Sequence, residues 1–147
     1  MSIRCLRGFP LGFLSTSGPC YAHAMAAAVT RIDHIQIAAP AGCEEAAREF
    51  YGSVLGMAEI EKPPLLRARG GCWFQCGDQQ LHIGVESDFR PAKKAHPAFA
   101  VARFDELRQN LADRGVAIVE DRNIPGMRRF YAEDPWGNRL AFVGTAV

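Results

Sequence analysis

Polar and hydrophobic residues alternate from His34 to Ile37, within residues 32–37, the first patterned stretch of the chain. Ile35 and Ile37 fall on one face of this stretch, His34 falls on the other, and Pro40 closes it. Strict alternation is typical of a strand with one face in a hydrophobic core. The pattern therefore predicts that the fold begins with a β-strand.

A helix is predicted after this strand. Residues 44 and 45 are glutamates, which favour a helix N-terminus, and hydrophobic residues recur every fourth position from Ala46 to Val54. Gly56 is placed to end the helix. Three extended segments then follow, over residues 57–60, residues 65–76 with a break at Gly70-Gly71, and residues 80–85.

The second half of the chain repeats this order of elements. Its strands are predicted over residues 96–101, 117–120, 127–132 and 140–143. A helix is predicted between the first two of these strands. Its hydrophobic face begins at Phe104, and the helix ends at Gly115. Residues 134–138 read Asp-Pro-Trp-Gly-Asn, which is typical of a tight turn between the last two strands.

The spacing between equivalent positions supports a true repeat. His82 lies 26 residues after Gly56, and Ala141 lies 26 residues after Gly115. His34 and His96 are then the matching residues of the two first strands. We expect an α+β fold in which two βαβββ modules, residues 31–85 and 96–144, form a curled mixed sheet with flanking helices that encloses a cleft.

Composition limits the classes of function. The chain has 147 residues, with 17 Lys+Arg against 16 Asp+Glu, so it lacks the basic surplus typical of nucleic-acid binding. No apolar run approaches the roughly 20 residues that span a membrane. Five cysteines without a CxxC pair favour buried free thiols and a reducing, cytoplasmic location.

Residues 1–30 contain no acidic residue and differ from the rest. We interpret them as a disordered N-terminal extension, or as a misassigned start with Met25 as the true beginning. A secretory signal or a transit peptide is the alternative. The domain itself is expected to span residues 31–147.

Three motifs occur in order along this domain. They are IDHI at residues 32–35, FYGSVLGM at residues 50–57 and DPWGNRL at residues 134–140. Together with a histidine on the first strand of each half, they resemble the vicinal oxygen chelate superfamily. This superfamily includes glyoxalase I, extradiol dioxygenases, and fosfomycin- and bleomycin-resistance proteins.

The resemblance implies a metal site with two ligand positions in each module. The matching residues here are His34, His82, His96 and Ala141. Three imidazoles can bind a divalent ion such as Zn, Ni, Mn or Fe, and no organic cofactor is implied. Because alanine cannot act as a ligand or a base, true glyoxalase I activity is not expected.

The resemblance also implies residues that contact a ligand. Arg129 and Tyr131 share parity on one predicted strand, and the matching positions in resistance proteins of this fold face the cleft. Arg129 is suited to bind an anionic group, while Arg128 should point away. Of the adjacent pair Trp73 and Phe74, one must face the cleft side, where it could stack on a flat ligand.

Two functions remain open at this stage. The first is a metal-assisted enzyme (a lyase, isomerase or dioxygenase) that acts on a small oxygenated, anionic molecule, with no catalytic residue assigned. The second is a non-catalytic protein that sequesters a small molecule, as bleomycin-resistance proteins do. The resemblance implies a homodimer in either case.

Overall fold

The computed structural model describes residues 28–144. The chain divides into two units, Met1–Thr30 and Arg31–Val147, and the architecture given below is that of the second unit. The interpretations made for residues 1–27 lie outside the described residues.

The first module begins with strand β1 (His34–Ala39), as the alternating pattern predicts. Helix α1 (Glu44–Ala47) continues directly into a π-helical segment, Arg48–Val54. Strand β2 (Ala58–Ile60), the short helix α2 (Pro64–Arg67), strand β3 (Trp73–Cys76) and strand β4 (Gln79–Val85) complete the module. Its sheet has the strand order β1-β4-β3-β2, with β1 parallel to β4 and the other pairs antiparallel.

The second module repeats this topology. Its elements are strand β5 (Ala98–Val101), helix α3 (Phe104–Asp113), and strands β6 (Val119–Asp121), β7 (Arg129–Glu133) and β8 (Arg139–Gly144). The sheet order is β5-β8-β7-β6, with β5 parallel to β8. The α+β class and the two βαβββ modules are therefore confirmed, as two four-stranded sheets.

The strand register confirms the repeat at the level of single residues. Gln36 pairs with His82 in the first sheet, and Ala98 pairs with Ala141 in the second. His34 and His96 each come two residues before the paired β1 or β5 position. Trp73 and Tyr131 are likewise equivalent, because they pair across β3–β4 and β7–β8 with His82 and Ala141.

Each sheet has a core face and an open face, since side chains alternate along a strand. The core faces share one hydrophobic cluster that draws large residues from both modules, including Tyr51, Phe74, Ile83, Phe130 and Phe142. The open faces carry the candidate functional residues. In strand β7, for example, Phe130 and Ala132 are buried in the core, whereas Arg129 and Tyr131 face the other way.

The prediction of an extended segment over residues 65–76 is wrong for most of that segment. Its first residues form helix α2, which has a proline in its first turn, and strand β3 begins only at Trp73. Gly70 and Gly71 both have positive φ and separate the two elements. A Cβ on Gly71 would lie 2.0 Å from the carbonyl oxygen of Ile83, so this approach of two backbones requires glycine.

The 134–138 turn links the two modules through a buried polar network. Asp134, which is 5% exposed, accepts a hydrogen bond from the Tyr51 hydroxyl at 2.9 Å. The Asn138 amide donates to the Ala38 carbonyl oxygen of β1 at 2.9 Å. The turn that opens β8 is thereby joined to the first strand of the other module.

None of the helices within residues 28–144 has the length and apolar character needed to cross a membrane.

Candidate functional site

Three aromatic rings lie in a row on the open face of the first sheet. Trp73 stacks on His82 with ring centroids 3.8 Å apart and an interplanar angle of 4°. His34 lies against His82 with centroids 4.4 Å apart and an angle of 17°. We call these three residues the ring stack. It follows from the sheet register, because Trp73 and His82 are direct cross-strand neighbours.

Hydrogen bonds to neighbouring side chains orient both imidazoles of the ring stack. His34 Nδ1 lies 3.0 Å from the Asp33 carboxylate, and His82 Nε2 lies 2.9 Å from Gln80 Oε1. Because a carboxylate and an amide oxygen only accept hydrogen bonds here, each of these ring nitrogens carries the proton. The hydrogen bond to His34 also holds the pKa of the Asp33 carboxyl below its usual value.

His82 is the buried middle ring of the stack, with only 6% exposure. Burial, and after it the neighbouring His34, lowers the pKa of the His82 imidazole. The ring is therefore neutral at neutral pH. A neutral flat ring between two other flat rings is suited to stacking.

The arrangement of the ring stack does not fit a resident metal ion. A ligating imidazole binds a metal in the plane of its ring, at about 2.0–2.1 Å from nitrogen. Because the rings of His34 and His82 are stacked nearly parallel, with centroids 4.4 Å apart, they cannot both direct a nitrogen at one metal ion in the plane of the ring. In the part of the chain that the structure describes, no group of three His, Cys, Asp or Glu side chains is placed to hold a metal ion.

His96 lies in a second cluster, on the open face of the second sheet. Its ring packs edge-on against Tyr131 with centroids 5.4 Å apart, and its Nδ1 is 2.8 Å from the carbonyl oxygen of Lys94. The Arg139 guanidinium lies over the Tyr131 ring, 3.7 Å from its centroid. The structure thus brings His34 and His82 together and places His96 with Tyr131.

Arg129 and Tyr131 share the open face, and Arg128 points away to Phe104 and Asp105, as their parity predicts. The Arg129 guanidinium, however, is engaged by the carboxylate of Asp121. Its Nε is buried without a hydrogen-bond partner. In this arrangement the cation is neutralised within the chain, so it differs from the free anion-binding group that the sequence suggests.

Asp121 should stabilise the protein in a pH-dependent way. Hydrogen bonds from the Asn123 backbone, Tyr131 and Arg129 lower the pKa of its carboxyl from 3.8 to about 2. A carboxyl with a lowered pKa contributes stability above its unfolded-state pKa and loses it as the pH falls through the folded-state value. The free energy of unfolding of the wild type should exceed that of Asp121→Asn at about pH 7, and the gap should shrink below about pH 4.

Urea unfolding at a series of pH values measures this gap. The exposed Asp88→Asn is the matched control, for which no gap is expected. A gap for Asp121→Asn that stays constant or widens in acid would contradict this role of the carboxyl.

Ala141 occupies the fourth of the metal-ligand positions that the resemblance implies, and its side chain cannot bind a metal. It is fully buried. It lies between Ala98 of β5 and Tyr131 of β7, on the open-face side of its strand. Its methyl group offers no donor atom at the position equivalent to His82.

Several residues of both clusters were not found from the sequence. Asp33 and Gln80 orient the histidines of the ring stack. Asp121 forms an ion pair with Arg129, and the Arg139 guanidinium packs on the Tyr131 ring. For Arg139 the available signal was its parity with Ala141. The partner of Arg129 depends on the β6–β7 register, which spacing alone does not reveal.

Comparison with known proteins bears on the family. The profile of the Glyoxalase/Bleomycin resistance protein/Dioxygenase superfamily matches residues 31–142. The crystal structure of a protein described as a glyoxalase family member from Bacillus anthracis is 52% identical. Its alignment covers 83% of this chain and 100% of that chain, with a TM-score of 0.79. A search of curated proteins found no match.

More distant structures share the fold. A lactoylglutathione lyase from Agrobacterium tumefaciens is 22% identical, with a TM-score of 0.63 over 80% of this chain and 96% of that one. A genomically encoded fosfomycin resistance protein from Listeria monocytogenes is 16% identical, with a TM-score of 0.63 over 81% of this chain and 96% of that one. The match of the family profile to most of the domain, with this conserved architecture, shows that the chain belongs to the glyoxalase/bleomycin resistance/dioxygenase superfamily.

Proposed function

We propose that this protein binds a flat small molecule on the open face of its first sheet, as a non-catalytic binding protein. The ring stack is the observation that supports this function. It sets two of the predicted metal ligands face to face, in the geometry of an aromatic platform. The superfamily includes proteins of this kind, in which the fold serves binding.

The stack has an accessible end ring. The side chain of His34 is 46% exposed, whereas His82 behind it is buried. A conjugated ligand can therefore continue the row of rings on the outer face of His34. Aromatic pairs contribute about 0.5–1.5 kcal/mol beyond their buried area, so ordered rings favour flat over saturated ligands.

The two tryptophans of the chain allow a direct test. Trp136→Phe leaves Trp73 as the single indole fluorophore, and Trp73→Phe leaves Trp136. We expect a flat ligand from a panel of aromatic carboxylates, aromatic antibiotics and glutathione conjugates to quench the emission of the Trp136→Phe variant. The matched Trp73→Phe variant should show little quenching, because Trp136 is not part of the ring stack.

Two outcomes would contradict the proposal. One is quenching confined to the Trp73→Phe variant, which would place the ligand elsewhere. The other is conversion of a bound compound to a product, which chromatography of the incubated mixture would detect and which would make the protein an enzyme.

A metal-assisted enzyme acting on a small oxygenated molecule is the second candidate. The repeat register favours it, since His34 and His96 lie at equivalent positions of the two modules and His82 lies at the position equivalent to Ala141. It requires the half-exposed His34 ring to leave the stack, with Arg129 and Tyr131 binding the substrate's anionic group. This candidate differs from the binding protein in one measurable property. The metal-assisted enzyme must take up Zn, Ni, Mn or Fe stoichiometrically, and this uptake must depend on His96.

This second candidate also requires a homodimer. Because His96 is not grouped with His34 and His82 within one chain, a second copy would have to complete a three-histidine site. Sedimentation measures that assembly. A cytoplasmic location belongs to the proposal as well, supported by the free thiols of Cys43, Cys72 and Cys76.

A further inference from the structure

A cavity of about 600 Å³ lies beside the second sheet, where β7 ends and β8 begins. Its walls are largely apolar and include Phe50, Val116, Val119 and Pro135. This volume is within the range of ordinary small-molecule sites. The cavity shares no residue with the ring stack, so its occupancy does not depend on the function proposed for the first sheet.

Arg139 supplies a cation to this apolar cavity. Within residues 28–144 it takes part in none of the ion pairs, and the Tyr131 ring is the group against which its guanidinium is packed. A guanidinium that stacks by its face keeps the N–H donors along its edge available. A half-buried cation of this kind gains most from an anion with a planar pair of oxygens.

The acidic residues of the cavity wall do not neutralise Arg139. Glu133 is its cross-strand neighbour, yet the Glu133 carboxylate accepts a hydrogen bond from Lys93 Nζ at 2.7 Å. Asp134 is held in the buried network by Tyr51 and Asn138. The cavity therefore combines apolar walls with one cation that has no carboxylate partner.

From this combination we infer a second ligand site, which binds a small carboxylate with an apolar body. The carboxylate pairs with Arg139, and the apolar part fills the space between Phe50 and Val119. A bidentate arginine–carboxylate pair is short, strong and geometrically specific. A neutral ligand of the same shape would leave the cation without its partner.

Calorimetric titration of the full chain with 2-naphthoate tests the site, and 2-naphthamide serves as the neutral ligand of similar shape. In the Trp73→Leu variant, which removes an outer ring of the stack, we expect 2-naphthoate to bind in a one-to-one ratio and at least about ten-fold more tightly than the amide. Arg139→Gln should weaken naphthoate binding by about ten-fold or more and leave amide binding unchanged. Ala117→Trp, at the exposed rim of the cavity, should weaken both.

Arg122→Gln is the matched control. It removes one exposed positive charge from a loop, and the Arg122 side chain does not line this cavity. It should leave both affinities unchanged. Equal binding of naphthoate and amide, full naphthoate affinity in Arg139→Gln, or no naphthoate binding to the wild type would each overturn the inference. Naphthoate binding that is lost on Trp73→Leu but kept on Arg139→Gln would place the ligand on the ring stack and overturn it as well.

Discussion

Replacing Asp134 by alanine is expected to lower the free energy of unfolding by about 3–5 kcal/mol. The Asp134 carboxylate accepts four hydrogen bonds at a buried position. They come from the Tyr51 hydroxyl, the backbone N–H groups of Trp136 and Asn138, and the Asn138 side-chain amide. Removing the acceptor leaves several buried donors without partners, which costs more than the average hydrogen bond contributes.

The loss should appear as a lower urea midpoint with an unchanged slope. Asp88→Ala, at an exposed turn residue, is the matched control and should change the free energy of unfolding by less than about 0.5 kcal/mol. Tyr51→Phe removes one donor of the four and should give an intermediate loss of about 1–2 kcal/mol. An Asp134→Ala protein as stable as the Asp88→Ala protein would show that the network does not hold the modules together.

The modular fold could be predicted because it depends on local signals. The matching distances from Gly56 to His82 and from Gly115 to Ala141 place equivalent strands in register, and the β4 and β8 pairings agree with them. In the 65–76 segment the break at Gly70-Gly71 was predicted, but the helix α2 that precedes it was not. The break depends on Gly71 approaching the Ile83 backbone, a contact between segments that are separate in the sequence.

The sequence predicts the positions of the candidate site residues. It does not predict which of their charged groups are free to bind a ligand. Alternation correctly places Arg129 and Tyr131 on one face and Arg128 on the other. Whether the Arg129 cation is free depends on Asp121, which reaches it only through the β6–β7 register. The spacing of residues along the chain does not specify long-range register or side-chain torsions. Within the described part of the second sheet's open face, the cation without a carboxylate partner is Arg139.

The same limit applies to the histidines. Their positions follow from the repeat, whereas the direction of each ring follows from the acceptors Asp33 and Gln80 and from the neighbouring Trp73. Three imidazoles at the ligand positions that the resemblance implies suggest ligands that converge. Two of them stack instead, which changes the chemistry that the face supports.

His82→Phe should therefore separate stacking from metal binding more sharply than any other single change. A phenyl ring keeps a flat surface between Trp73 and His34 but has no nitrogen. We expect the variant to bind the flat ligand within about three-fold of the wild-type affinity. His82→Ala, which removes the middle ring, should weaken that binding at least about ten-fold and lower the free energy of unfolding by about 2–3 kcal/mol.

Fluorescence titration and thermal unfolding measure these effects, with His96→Phe as the matched substitution on the second sheet. His96→Phe should leave the affinity for the flat ligand unchanged, because His96 packs on Tyr131 and not on the ring stack. If His82→Phe instead abolishes ligand binding together with uptake of a divalent ion, the nitrogen of His82 is essential. The metal-assisted enzyme would then replace the stacking platform as the function of this face.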